Sequence, residues 1–195
     1  MKLKLRDIAM FTFMSTLLSG VGAMIFSEKS LIADPLAKPK KSFYSLRMND
    51  INGKRIDLKA YQGKKIMIVN VASKCGFTSQ YIDLQNLYDN NSDKLEIIAV
   101  PCNDFGMQEP GSPSEIKEFC STNYGVSFLI AEKQRIKSKP ASDLYKWLSN
   151  PNSNGWNSAL PSWNFCKYII NENGELTHFF RSSVNPNSNE IKKVL

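Results

Sequence analysis

An α/β sheet with helices on its faces is the fold class this sequence predicts, and three observations predict it. Two runs, Lys65–Val71 (KIMIVNV) and residues 95–100 (LEIIAV), are continuous, apolar and rich in β-branched side chains, as strands buried on both faces are. Between them the period changes, and Tyr81, Leu84, Leu87 and Tyr88 fall on one helical face. A third apolar run, residues 168–170, follows two further helical segments. Alternation of this kind packs helices on a sheet through right-handed crossovers.

Element by element, the chain opens on Lys2, Lys4 and Arg6, followed by an uncharged run over residues 8–26. A positive stretch and then an apolar one is the order of a secretory signal, and Val21-Gly22-Ala23 offers a small-residue cleavage site. The run also approaches the length of a membrane span. Residues 1–26 therefore read as a signal peptide or an uncleaved anchor, with a buried globular helix as a third reading. The first two place the domain outside the cytoplasm, secreted or periplasmic. Residues 27–41, with Pro35 and Pro39, read as a linker, and residues 42–195 as the domain.

Within the domain, residues 43–46 alternate weakly and Asn52-Gly53 gives a turn before Lys54-Arg55-Ile56, which predicts an N-terminal β-hairpin. The helix from Gln80 stops at Asn90 and Asn91. Ser112 and Pro113 mark an N-cap and first turn for a helix over 113–120. Residues 142–148 form a short helix, Asn173-Gly174 turns the third strand back into a strand over 176–180, and a last helix covers 190–195.

Composition narrows the chemistry. The chain has 195 residues, 42% hydrophobic and 22% charged, which excludes disorder and a multi-span membrane protein as whole-chain readings. Four cysteines are too few for a disulfide-dense scaffold. The single histidine, His178, excludes a His-rich metal site, and it reads as a strand residue. No phosphate-binding glycine loop, HExxH helix or paired CxxC occurs. The net charge of +7 is scattered and forms no basic stripe interleaved with aromatics, so no nucleic-acid partner is predicted.

Cys75, in Asn70–Thr78 (NVASKCGFT), carries the chemistry. It lies between the first core strand and the first helix, outside the carboxyl end of a strand, where sites form in open α/β sheets. Solvent access and the positive end of a helix both favour the thiolate. No second cysteine follows three residues later, so the two-cysteine redox motif is absent.

NVASKCGFT, PCNDFGMQEPG (101–111), EFCSTNY (118–124) and Trp163-Asn164-Phe165 resemble, in order, the motifs of the glutathione peroxidase family in its cysteine-containing, thioredoxin-dependent form. The resemblance runs from about Phe43 to the C-terminus. It implies a thioredoxin-like fold with a central mixed sheet, and a peroxidase acting on hydrogen peroxide and organic hydroperoxides in defence against oxidative stress. It implies that Cys75 is the peroxidatic cysteine, with Gln108, Trp163 and Asn164 as neutral N–H donors to the sulfur and leaving oxygen. It implies that Cys120 resolves the Cys75 sulfenic acid as a disulfide, which a thioredoxin-like protein, or glutathione in a variant reading, then reduces. Cys102 and Cys166 read as packing residues. No cofactor or metal is implied, and the lack of a long insertion before Trp163 implies a monomer. The chain departs from the family where Leu129 follows Phe128 and where residues 133–139 lack the usual turn. Rival readings are a peroxide sensor or disulfide relay acting on a partner protein, and a binding module without catalysis.

Overall fold

The structure, a computed structural model, describes residues 30–32 and 38–195. Its strands are β1 (Ser30–Ile32), β2 (Lys65–Val71), β3 (Leu95–Pro101), β4 (Leu129–Ile130), β5 (Lys167–Ile170) and β6 (Leu176–Phe180). They form one six-stranded sheet in the order β1-β6-β5-β2-β3-β4. β2, β3 and β4 are mutually parallel, while β5 runs antiparallel to β2, and β6 antiparallel to both β5 and β1. The sheet is therefore mixed, as expected.

Helices α1 (Gln80–Asp89), α2 (Pro113–Tyr124), α3 (Asp143–Leu148), α4 (Pro151–Asn154) and α5 (Asn189–Lys192) cover it. The alternation of β2 splits the core into two layers. Met67, Val69 and Val71 face Tyr81, Leu84 and Leu87 of α1, Ile116 and Cys120 of α2, and Ile191 of α5. Ile66 and Ile68 face the other way, onto Leu144, Tyr145, Trp147 and Leu148 of α3. Period-2 strands between amphipathic helices need both layers to be apolar, and every core strand residue named here is buried.

The N-terminus of α2 follows its sequence. Ser112 accepts from the Glu115 N–H, and Glu115 in turn accepts from the Ser112 N–H at 2.7 Å, a reciprocal capping box with Pro113 beside it. Gly125 closes the helix in the left-handed region at φ +62°.

Several expectations are corrected. The N-terminal hairpin shrinks to one bridge, Asn49 to Arg55, around a turn held by Asp50, which accepts from the N–H of Asn52 and Lys54. Phe43–Ser45 is a 3-10 turn instead of a strand, closed by the Leu46 N–H donating to the Phe43 carbonyl, with Phe43 and Tyr44 both buried. The expected linker contains β1, whose Leu31 packs on the core beside β6. The short β4 and α4 were not predicted, and the last helix ends at Lys192. The signal or anchor reading of residues 1–26 lies outside the described residues.

Candidate active site

Topology brings the candidate residues to one end of the sheet. Cys75 follows the carboxyl end of β2, and Gln108 follows that of the adjacent, parallel β3. Trp163 and Asn164 precede β5, which is antiparallel to β2, so their loop arrives at the same end, where Lys167 pairs with Val69.

Hydrogen bonds tie these loops together. Lys74 N–H donates to the Gln108 carbonyl at 3.0 Å. Asn70, at the end of β2 and 1% exposed, donates from Nδ2 to the Trp163 carbonyl at 2.9 Å and accepts from Cys166 N–H at 3.0 Å. The Asn70 carbonyl also accepts from Phe165 N–H. Asn70 thus brackets the turn at residues 163–166, which includes Phe165 at φ +64°, a strained conformation for a buried aromatic. A lone amide inside the run KIMIVNV was the signal for this residue, whose positioning role the sequence reading missed.

The Cys75 loop is wound by its own side chains. Thr78 Oγ1 accepts from Cys75 N–H at 3.0 Å and donates to the Ala72 carbonyl at 2.9 Å. Phe77 N–H donates to Cys75 Sγ at 3.4 Å. Cys75 is half-buried and its thiol is free. The sulfur was expected at the tip of a helix, but α1 begins five residues later, at Gln80. The N–H that reaches the sulfur is therefore that of a turn residue, Phe77, and not that of a helix end.

Gln108 Oε1 accepts from Asn164 Nδ2 at 2.9 Å, and the same Nδ2 reaches the Phe105 carbonyl at 3.5 Å. Asn164 is fully buried, and its amide hydrogens face these oxygens, so it orients Gln108; the expected direct donation to sulfur gives way to this role. With its oxygen so held, Gln108 presents its NH₂, which makes no hydrogen bond among the described residues. The same holds for the indole N–H of Trp163, whose side chain is 38% exposed. Trp163 rests edge-on against Phe105, and a Cβ on Gly106 would come within 3.3 Å of its ring. Gly106, at φ +66°, is thus required twice, by its backbone and by the close approach of the indole. Exposed Met107 and Leu160 belong to the loops that carry Gln108 and Trp163.

The other thiols are buried. Burial pushes Cys102 up to about 12 and Cys120 up to about 11. Cys120, on α2, belongs to the core layer against which Cys75 packs. Cys166 faces the Ser182 hydroxyl at 3.5 Å, and Cys102 accepts from Asp104 N–H at 3.4 Å, both consistent with packing. His178, half-buried on β6, stacks on Phe180 at 5.7 Å, outside these loops. Asp104 reaches across to residues 136–138 and accepts from their N–H groups at 2.7, 2.8 and 3.0 Å and from the Ser138 hydroxyl. It fixes the segment whose turn signal the sequence lacks. Burial pushes its carboxyl up, but those hydrogen bonds outweigh burial and hold it down at about 2.

Comparison with known proteins adds the family and the fold. The family model described as Glutathione peroxidase matches residues 43–149. The chain is 42% identical over 157 residues to Glutathione peroxidase homolog BsaA of Bacillus subtilis, covering 79% of this chain and 98% of the relative. It is 41% identical over 157 residues to Glutathione peroxidase-like peroxiredoxin 2 of Saccharomyces cerevisiae, covering 79% and 97%. Among solved structures, a thiol:disulfide interchange protein of the thioredoxin family from Chlorobium tepidum aligns at a TM-score of 0.56 and 14% identity, over 83% of this chain and 98% of that one. That likeness shows the fold, which is thioredoxin-like.

Proposed function

The chain belongs to the glutathione peroxidase family and is a thiol peroxidase, and from that premise we propose that Cys75 is the residue that attacks the peroxide. Its thiolate takes the terminal oxygen of the hydroperoxide, the O–O bond breaks, and water or an alcohol leaves while Cys75 becomes a sulfenic acid. The observation that carries this reading is the pair of uncommitted donors, Gln108 NH₂ and Trp163 N–H, on loops bonded to the Cys75 loop and its strand. Neutral donors held in place stabilise the negative charge that moves from sulfur to the departing oxygen, with no histidine needed. Asn164 acts through Gln108. Exposed Met107, Leu160 and Trp163 give the rim an apolar character that suits organic hydroperoxides beside hydrogen peroxide.

Cys120 resolves the sulfenic acid. Its thiol displaces hydroxide from the Cys75 sulfur, giving a Cys75–Cys120 disulfide and water, and a thioredoxin-like dithiol protein then reduces the disulfide by exchange. The family-matching position of Cys120 and its place in the layer that Cys75 touches support this step. Cys75→Ser abolishes peroxide reduction, because a hydroxyl without a base is a poor nucleophile. Cys120→Ser keeps one fast turnover and stops thioredoxin-driven cycling. Steady-state peroxide consumption with thioredoxin and with glutathione, together with intact mass after one equivalent of peroxide, reads both. Fast turnover with glutathione and little with thioredoxin would reject the reductant, and parental cycling of Cys120→Ser would reject the resolving role.

A further inference from the structure

Glu109 follows Gln108 in the loop after β3 and is fully buried. One carboxyl oxygen, Oε1, accepts from the Ser73 hydroxyl at 2.7 Å. The other, Oε2, is buried without a hydrogen-bond partner. Leaving a carboxylate oxygen unpaired in the interior is costly, so a native structure that keeps one needs a reason. The loop around it is pinned: Glu109 N–H donates to Asn103 Oδ1 at 2.9 Å, and Lys133 Nζ donates to the Glu109 carbonyl at 2.8 Å. The backbone is thus satisfied while the side chain is not.

Glu109 helps to line a cavity of about 310 Å³, walled by Ser73 and Lys74 of the Cys75 loop on one side and by Glu115, Ile116 and Phe119 of α2 on the other. Cys120 follows Phe119, and it lies one helical turn after Ile116, on the buried face of α2. The cavity is therefore free volume between the two sulfur-bearing elements, and the residue that carries the unpartnered carboxyl oxygen is part of its wall. Burial raises the Glu109 carboxyl above the ordinary carboxylate range, opposed by the Ser73 hydroxyl and the charge of Lys133. The group also interacts electrostatically with Cys120 and Tyr81.

We propose that Glu109 is the acid–base residue of disulfide closure, taking the proton of the Cys120 thiol as that sulfur attacks Cys75 and returning it to the departing oxygen. The inference rests on the resolving role given to Cys120 above. The Cys120 S–H bond breaks and its proton goes to Glu109 Oε2. The Cys120 sulfur forms the S–S bond with its electron pair, and the S–O bond of the Cys75 sulfenic acid breaks. The leaving hydroxide takes the proton from Glu109 as water. Cys75 is reduced from sulfenic acid to disulfide sulfur, Cys120 is oxidised from thiol to disulfide sulfur, and no other reactant enters. Burial pushes this thiol up to about 11, so on an α2 that has only begun to open it meets Cys75 still protonated, and a base at hand speeds its attack.

The groups that act on this carboxyl during a pH titration are Ser73 of the Cys75 loop, Cys120 of α2, Tyr81 of α1 and Lys133, with Lys74 and Glu115 the other charged residues of the cavity wall. The test is rapid-quench alkylation and mass analysis of the full chain after one equivalent of hydrogen peroxide, which times Cys75 oxidation and disulfide closure separately. In Glu109→Gln, closure slows by about ten- to a hundredfold more than Cys75 oxidation does, and Glu109→Asp recovers part of the loss. In the parent, the closure rate rises with pH through an inflection above the ordinary carboxylate range and well below the titration of Cys120. Closure in Glu109→Gln as fast as in the parent overturns the proposal. So does a parent profile without that inflection, a measurement that needs no variant to fold. A parent that oxidises Cys75 but never closes the disulfide overturns the resolving role and this inference together. A parent whose Cys75 is not oxidised at all overturns the peroxidatic assignment itself.

Discussion

Replacing Asn70 by alanine separates the positioning of the site from its chemistry. The side chain touches no reacting atom, yet it holds the turn that carries Trp163 and Asn164 through the Trp163 carbonyl and the Cys166 N–H. Truncation leaves both groups without these partners in a region that is otherwise closed, at about 1–3 kcal/mol each. A loss of about 3 kcal/mol lowers the melting temperature by about 6–12 °C in a domain of this size. The larger effect falls on rate. Without the bracket, Phe165 is no longer held at φ +64°, and the turn relaxes toward an unstrained conformation that swings the indole away. A shift of about 1 Å in a charge-stabilising donor costs about a hundredfold in kcat/KM. The assay is peroxide consumption at a temperature where circular dichroism shows the variant folded. Asn70→Asp sharpens it: a carboxylate still accepts from Cys166 N–H but cannot donate to the Trp163 carbonyl, so its activity falls about as far as that of alanine. A folded Asn70→Ala enzyme within threefold of the parent would refute the claim that this amide positions the donors.

Other expectations concern the frame around the site. Asp104→Ala frees three backbone N–H groups of residues 136–138 and lowers stability by about 1 kcal/mol after allowance for solvent screening, as read by urea denaturation. The parent's Asp104 contribution is present above about pH 4 and is lost as pH falls through about 2, since its folded-state value lies below that of the unfolded chain. Fully buried Lys167, donating to Gln80 Oε1 and the Val184 carbonyl, is lowered by burial from 10.5 to about 7, so the unfolded chain binds its proton over that window and stability rises from pH 7 toward about 8.5. Above about 9 the sign reverses, because Cys102 and Cys120 keep protons in the fold that the unfolded chain releases near 9.0; melting curves in Lys167→Met lose the rising limb and keep the falling one.

What could be read from the sequence depended on the range of the interaction. The runs of β2 and β3 and the stripe of α1 are local patterns, and each folds as its period demands. The α2 start was legible because Ser112 and Glu115 satisfy each other three residues apart. Strand β1 was not, since Ser30–Ile32 gains its conformation only by pairing with β6, at the far end of the chain. The site divided in the same way. Cys75, Gln108 and Trp163 were named from residue type and resemblance. Asn70 bonds to partners 93 and 96 residues away, and Asp104 to a segment more than 30 residues on, so neither role exists before the chain closes. Asn164 was given the wrong target for a similar reason: an amide advertises a donor, but only the folded loop shows that Gln108 takes it.

The resolving role proposed for Cys120 draws on the opening of α2, since that thiol is fully buried. In α1, Gln80, Tyr81, Leu84 and Leu87 are buried in ten residues; in α2, only Ile116 and Cys120 are buried in twelve, with Phe119 and Tyr124 adding partial contact. One of the two anchors is thus the cysteine proposed above to resolve the sulfenic acid. Exposing an isoleucine costs about 1.5–3 kcal/mol and a cysteine about 1, so opening the middle of α2 costs about 2.5–4 kcal/mol, an open population of about one in a hundred to one in a thousand. That is low enough to hide the thiol from chance oxidation and high enough to supply a disulfide-forming conformer, since the Cα atoms must come within about 7 Å. Amide exchange of the reduced chain tests the asymmetry: the amides of residues 118–122 exchange about tenfold or more faster than those of residues 84–88 in α1. After one equivalent of peroxide the α2 protection collapses while that of α1 stays. Equal protection of the two helices in the reduced chain would mean that α2 opens only when the whole domain unfolds, and Cys120 would then be too deeply held to serve as the partner of Cys75.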